Sequence, residues 1–170
     1  GYSAAIWLVA GAPTRWQAAA RGWLFGTAHF LLALNWITEP FQIDAVRDAW
    51  MAPYALVLMA GGLALFWGAA GLVSAIFRPR ALAFALALAG AEAVRGVVLT
   101  GFPWAMPGHI WLTLAPMQLA ALAGAGGLTL LTLGLALLPV VARLRGLSAA
   151  AVLLAAVWGW GQWRLGQPLP

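Results

Sequence analysis

Glu92 and Arg95 stand three residues apart at the end of an apolar run, within the stretch EAVRGVVLTGFPWAMPGH at 92–109. That spacing puts both side chains on one face of a helix, where they can pair. Charge inside a hydrophobic segment is costly and usually has a structural or functional reason. Arg95 is four residues from the expected helix end at Leu99, about 6 Å at the helical rise, so it could snorkel to an interface. Glu92 lies about 10 Å deep and needs either that arginine or a proton. Two readings follow: a self-satisfied pair that orients the helix, or a polar spot beneath an outward-facing cavity that meets a charged lipid headgroup.

The connection after this pair is TGFPWAMPGH. Gly101, Pro103 and Pro107 stop the helix, because proline lacks the amide donor and restricts the residue before it. Phe102 and Trp104 bracket Pro103 and would sit at the interface, the plainer role being that of aromatic anchors. The stretch to Pro116 remains apolar without being a good helix, which predicts a re-entrant or interface-lying segment. Asn35 and Trp36, in LNWITEP, close an earlier helix; Asn35 could hydrogen-bond to a neighbouring helix, and Glu39-Pro40 ends the helix. FQIDAVRDAW at 41–50 predicts a short amphipathic surface helix with Phe41, Ile43, Val46 and Trp50 on its apolar side. His109 reads as an interfacial hydrogen-bonder. His29 has no carboxylate or cysteine at ligand spacing, so neither a metal site nor a cofactor is expected. The sequence has no hydrolase elbow, P-loop, dinucleotide fingerprint, zinc motif or carboxylate pair at acid–base spacing. Without cysteine there is no thiolate nucleophile or disulfide.

The elements that must position these residues are membrane helices. Hydrophobic residues make up 64% of the chain and charged residues 8%, with a mean hydropathy of +0.92. A soluble domain is about 45–50% apolar and about 25% charged. The net charge of +5 comes from arginines scattered in ones and twos, which argues against nucleic acid. The fold class is therefore an all-α, polytopic transmembrane bundle. Five full spans are expected at 20–38, 51–77, 81–99, 117–142 and 147–163, with a partial one at 2–12. Residues 1–170 form a single transmembrane domain on this reading, and both ends look cut from a longer protein.

Arginine placement gives the orientation. Arg15 and Arg21, Arg78 and Arg80, and Arg143 and Arg145 mark three connections that alternate with two arginine-poor ones, as the positive-inside rule demands. Both ends, including Pro170, then lie on the outer side, with Arg164 a single dissent. Trp16, Trp36, Trp50, Trp104, Trp111, Trp158, Trp160 and Trp163 fall near span ends, as aromatic belts do. Gly22 and Gly26 form a GxxxG pattern that in so glycine-rich a chain is as readily chance as a helix contact.

At EAVRGVVLTGFPWAMPGHIWLTLAPMQLAALAGAGGLTLLTL the sequence resembles bacterial apolipoprotein N-acyltransferases. The matching positions are Glu92, Arg95, Gly96, Thr100, Gly101, Phe102, Pro103 and Trp104, then Leu114, Ala115 and Pro116, with Asn35 and Trp36 near the end of an earlier helix. The resemblance implies eight membrane helices and a periplasmic nitrilase-like domain inserted before the last. It implies transfer of an acyl chain from a phospholipid donor to the amino group of a diacylglyceryl-cysteine lipoprotein acceptor. The family's cysteine nucleophile, glutamate base and assisting lysine belong to that domain; this chain has neither cysteine nor lysine, so no catalytic residue is expected in it and it should be inactive alone. It would represent part of helix two through helix seven, in the bacterial inner membrane among membrane lipids. Glu92, Arg95 and the Phe102-Pro103-Trp104 turn would be the floor and lip of a lipid-entry cavity, with Arg95 attracting a phosphate. The alternative is a non-enzymatic membrane scaffold or small transporter; paired broken helices and repeated halves, the marks of a transporter, are missing.

Overall fold

In the computed structural model, which describes residues 1–98 and 101–167, the chain is all helix and turn among the described residues. Leu99 and Thr100, the end of one expected span and the first residue of the T-G-F-P-W motif, lie outside the described residues, as does Pro170. Helix α1 covers Tyr2–Ala10, α2 Arg15–Ala33, and α3 is a single turn, Ala45–Asp48. Helices α4 (Ala52–Leu63) and α5 (Leu65–Ser74) follow each other across a helical Ala64, then come α6 (Arg80–Arg95) and α7 (Ala120–Leu165). The run Ala45–Ser74 and the run Ala115–Leu165 are long and apolar enough to cross a membrane.

Helix α2 begins five residues before the expected 20–38, because Thr14 caps it by accepting a hydrogen bond from the Gln17 amide. It ends at Ala33, not at the expected Glu39-Pro40: Asn35 opens a 3₁₀ segment, Asn35–Gln42, that carries Pro40 inside it. The expected amphipathic helix at 41–50 is instead broken into this segment, α3 and a 3₁₀ turn at Ala49–Met51. Ile43, Val46 and Trp50 project from it, Val46 fully exposed, so their apolar side faces away from the bundle.

The run Ala120–Leu165, α7, carries the residues expected in two spans. A straight helix of that length would rise about 70 Å, over twice a hydrocarbon core of about 30 Å. The chain instead leaves the helical path at Gly124 (φ 63°, ψ −170°) and doubles back at Arg143 (φ 50°, ψ −125°). A Cβ on Gly146 would fall 1.9 Å from the Leu138 carbonyl oxygen, eight positions earlier, and one on Gly161 would fall 2.2 Å from that of Ala115. Those approaches require two antiparallel arms, 125–142 and 144–165.

The core is built around the short α1. Its Ile6 and Val9 pack with Phe30 of α2, Trp67 of α5, Phe84 and Leu88 of α6, and Leu133 of α7. Helices α2 and α5 are pressed together through small residues. A Cβ on Gly22 would meet the Trp67 carbonyl oxygen at 2.5 Å, one on Gly26 the Trp67 side chain at 2.9 Å, and one on Gly71 the Ala18 carbonyl oxygen at 2.4 Å. The GxxxG pattern is thus a working helix contact. Lipid tails are as apolar as leucine, so such bundles depend on close packing rather than on the hydrophobic effect.

Candidate functional site: a clamped turn at the end of α6

The two charged residues near the end of α6 are buried, Glu92 and Arg95 each 1% exposed. The expectation that Arg95 reaches outward to the interface is therefore corrected. Its guanidinium turns back into the bundle, with Nη2 at 2.5 Å from Glu92 Oε2 and Nε donating to Oε1 at 3.3 Å. The reason is local. Glu92 Oε1 also accepts from the Trp67 indole Nε1 at 2.8 Å, and Arg95 Nη1 donates to the Phe102 carbonyl oxygen. The Phe30 ring lies 5.0 Å from the Arg95 Cζ, adding a cation–π contact. A buried charge surrounded by this many partners has no reason to seek water.

The same arginine anchors the connection that follows. Phe102 N donates to the Arg95 carbonyl at 3.1 Å, so this residue is held through both its backbone groups. Gly101 makes the reversal with φ at 79°, and a Cβ there would come 2.4 Å from the Gly96 carbonyl oxygen. Three residues on, His29 Nε2 bonds the Ala105 carbonyl oxygen at 2.7 Å. A carbonyl only accepts, so Nε2 carries the proton and Nδ1 is free to accept from the Tyr2 hydroxyl, 3.5 Å away. The His29 ring stacks on Trp67, centroids 5.2 Å apart. Two donors on different helices, the buried Arg95 and the half-buried His29, thus grip the turn at Phe102 and Ala105. Between those grips Pro103 and Trp104 are pushed outward, Trp104 being 59% exposed.

Trp104 meets Trp36 edge to face at 6.3 Å between centroids. Together with His29, Ala105, Met106 and His109 they line a cavity of about 310 Å³. The His109 imidazole is held below its ordinary range, first by partial burial and next by the Arg95 charge. Asn35 is not part of this group: it is exposed, and its carbonyl serves the Thr38 hydroxyl.

The segment beyond the turn packs against the bundle in part, while Ile110, Leu112 and Leu114 stay exposed. Pro107, Gly108 and Trp111 are buried. The Trp111 indole donates to Thr132 Oγ1 at 2.8 Å, and a Cβ on Gly108 would strike the α7 backbone at Thr129, 2.6 Å away. Trp111 is therefore a core residue rather than a belt residue. Sequence reasoning missed Tyr2, His29 and Trp67 as members of the polar group. Trp67 had a usable signal: an indole N–H in the middle of an apolar run needs a partner.

A bundle with a fully satisfied polar centre, holding a proline-aromatic turn beside a cavity at one end, defines a helical membrane-type module built to present that turn. Residues 2–138 match the apolipoprotein N-acyltransferase N-terminal domain, and the chain belongs to this family. It is 49% identical over 159 residues to an apolipoprotein N-acyltransferase of Caulobacter vibrioides, covering 88% of this chain and 30% of that protein. The corresponding protein of Rhizobium leguminosarum bv. trifolii is 34% identical over 179 residues, 94% of this chain and 34% of its own length. That of Rhodopseudomonas palustris is 36% identical over 147 residues, covering 81% and 27%. The chain spans about a third of the length of these relatives.

Proposed function

We propose that this chain is the membrane portion of an apolipoprotein N-acyltransferase, which moves an acyl chain from a phospholipid to the N-terminal amine of a diacylglyceryl-cysteine lipoprotein. The observation that carries this reading is the family match across residues 2–138, which includes the E-x-x-R and G-F-P-W positions. On this reading it is a multi-pass inner-membrane domain, 1–170, with its arginine-bearing connections in the cytoplasm and both ends on the periplasmic side. Bond making belongs to residues outside this sequence, since it holds no cysteine to form a thioester.

The clamped turn gives the domain a specific task. Glu92 and Arg95 do not line the cavity themselves; they hold Phe102 from within the bundle, so the pair supports a lipid-entry cavity and acts by position. Pro103, Trp104 and Trp36 form its lip, offering apolar surface to an acyl chain at the height of the interface. Asn35 stands at the edge of the same end. A scaffold or transporter role has no observation that favours it over this one.

The test is acyl transfer in a strain depleted of its own enzyme. A full-length gene carrying this sequence should restore triacylated lipoprotein N-termini, read by mass spectrometry, and residues 1–170 alone should not. Failure of the full-length protein, with normal membrane insertion, would overturn the assignment.

A further inference from the structure

An apolar groove lies at the opposite end of the bundle, between α5 and α6. Val73, Phe77, Leu82, Leu86 and Ala87 line a cavity of about 420 Å³, with Arg78 among its lining residues. Val73, Phe77, Leu82 and Leu86 are 41–57% exposed, and the Arg78 side chain is exposed as well.

Charge at this end is one-sided. Arg21 Nη1 donates to the Leu8 carbonyl at 2.6 Å and Arg80 Nη1 to that of Ala12 at 2.7 Å, so two guanidiniums gather around the end of α1. Arg80 Nε is buried without a hydrogen-bond partner. Backbone carbonyls satisfy hydrogen bonds but supply no negative charge. The four acidic residues of the chain are elsewhere: Glu92 is committed to Arg95, and Glu39, Asp44 and Asp48 lie in the 35–51 connection, with Asp48 paired to Arg47. Among the described residues no carboxylate pairs with Arg21, Arg78 or Arg80, so this end is open to an external anion.

We propose that this groove is a binding site for an anionic phospholipid, one acyl chain lying along α5 and α6 and the phosphate held by Arg78, with Arg80 and Arg21 raising the local positive potential. A guanidinium offers a phosphate two parallel donors, and basic pockets between membrane helices are suited to acidic headgroups. The proposal rests on the membrane reading but not on the acyl-transfer reading. This lipid would be a resident of the arginine-rich end, distinct from the donor lipid at Trp104.

The experiment uses the full-length protein in vesicles of phosphatidylcholine containing phosphatidylglycerol with a diazirine in its acyl chain. After irradiation, adducts are mapped by peptide mass spectrometry. Adducts should appear within 73–87, and unlabelled phosphatidylglycerol should reduce them several-fold more than extra phosphatidylcholine does. Arg78→Gln should abolish that difference, Arg78→Lys should keep part of it, and adducts near 104–112 should not change in either variant. Absence of adducts in 73–87, equal competition by both lipids, or an unchanged preference in Arg78→Gln would overturn the proposal. Loss of adducts at 104–112 as well would show that a variant has misfolded, and the competition in wild-type protein then decides. Acyl transfer is not read, so the outcome is independent of the enzymatic assignment.

Discussion

Removing Arg95 should destabilise the bundle rather than merely slow a reaction. In the structure Arg95→Met takes away the counter-charge of a carboxylate that is 1% exposed, and leaves the Phe102 carbonyl without its side-chain donor. Breaking a buried ion pair from one side costs about 3–5 kcal/mol, because the other charge is left uncompensated. An exposed pair would cost no more than about 1 kcal/mol. The magnitudes differ enough to decide between a buried clamp and an interfacial arginine. Glu92→Gln added to Arg95→Met should recover about 2 kcal/mol. The amide oxygen can still accept from the Trp67 indole, and the stranded charge is gone.

The measurement is unfolding of the full-length protein in mixed micelles titrated with sodium dodecyl sulfate, for wild type, both single variants and the double. The coupling energy from the cycle should be roughly 2 kcal/mol or more. A single Arg95→Met variant within about 1 kcal/mol of wild type would refute the buried-clamp argument. Exchanging the charges, Glu92→Arg with Arg95→Glu, is a poor test of lipid contact. Arginine at 92 offers Trp67 no acceptor and glutamate at 95 offers Phe102 no donor, so the exchange should fail whether or not lipid touches the pair.

Gly22→Val should cost about 1–3 kcal/mol in the same assay, since its side chain would meet the Trp67 backbone; stability within about 0.5 kcal/mol of wild type would contradict the close α2–α5 contact. Trp111→Phe should lose about 1 kcal/mol through the lost indole bond to Thr132, whose hydroxyl keeps its own bond to the Leu128 carbonyl, and Thr132→Val should show little further loss when combined with it. For orientation, a single cysteine at Val46 should react with an impermeant maleimide from outside, and one at Leu144 only after the membrane is opened; the reverse pattern would invert the topology. Both positions are at least 80% exposed, which makes them better probes than the buried Met106. Trp104→Ala should lower acyl transfer by the full-length protein several-fold without shifting its unfolding midpoint, because Trp104 is an exposed part of the turn.

Helix existence and order were legible in the sequence because apolar runs are interrupted by arginines, prolines and polar turns. Boundaries moved where a local cap intervened, as Thr14 does for α2. What could not be read was direction. Spacing put Glu92 and Arg95 on one face of a helix, but whether that face looks outward depends on Trp67, Phe30 and Phe102, which arrive from three other segments. A snorkelling arginine and a buried one have the same helical register. The tryptophans divide for the same reason. Trp111 sits near a span end yet is drawn inward by Thr132, while Trp36 and Trp104 stay out and meet each other. An indole has an apolar body and one donor, so a buried hydroxyl acceptor is as good a destination as an interface.

The arrangement explains why so apolar a domain retains a charged pair in its centre. Hydrophobic replacements could pack α6 against α5 at no loss of stability, but they could not hold the Phe102 carbonyl. Proline at 103 has no amide hydrogen and Gly101 has unusual conformational freedom, so the turn cannot organise itself through backbone hydrogen bonds alone. Arg95 supplies the missing donor from within the bundle, Glu92 keeps that cation affordable in a dry interior, and Trp67 fixes the carboxylate. His29 does the same for Ala105 through Nε2. The polar centre and the exposed Pro103-Trp104 tip are therefore one device: the buried half sets the position of the half that faces out. Loss of the tip should alter function at constant stability, and loss of the buried half should alter both.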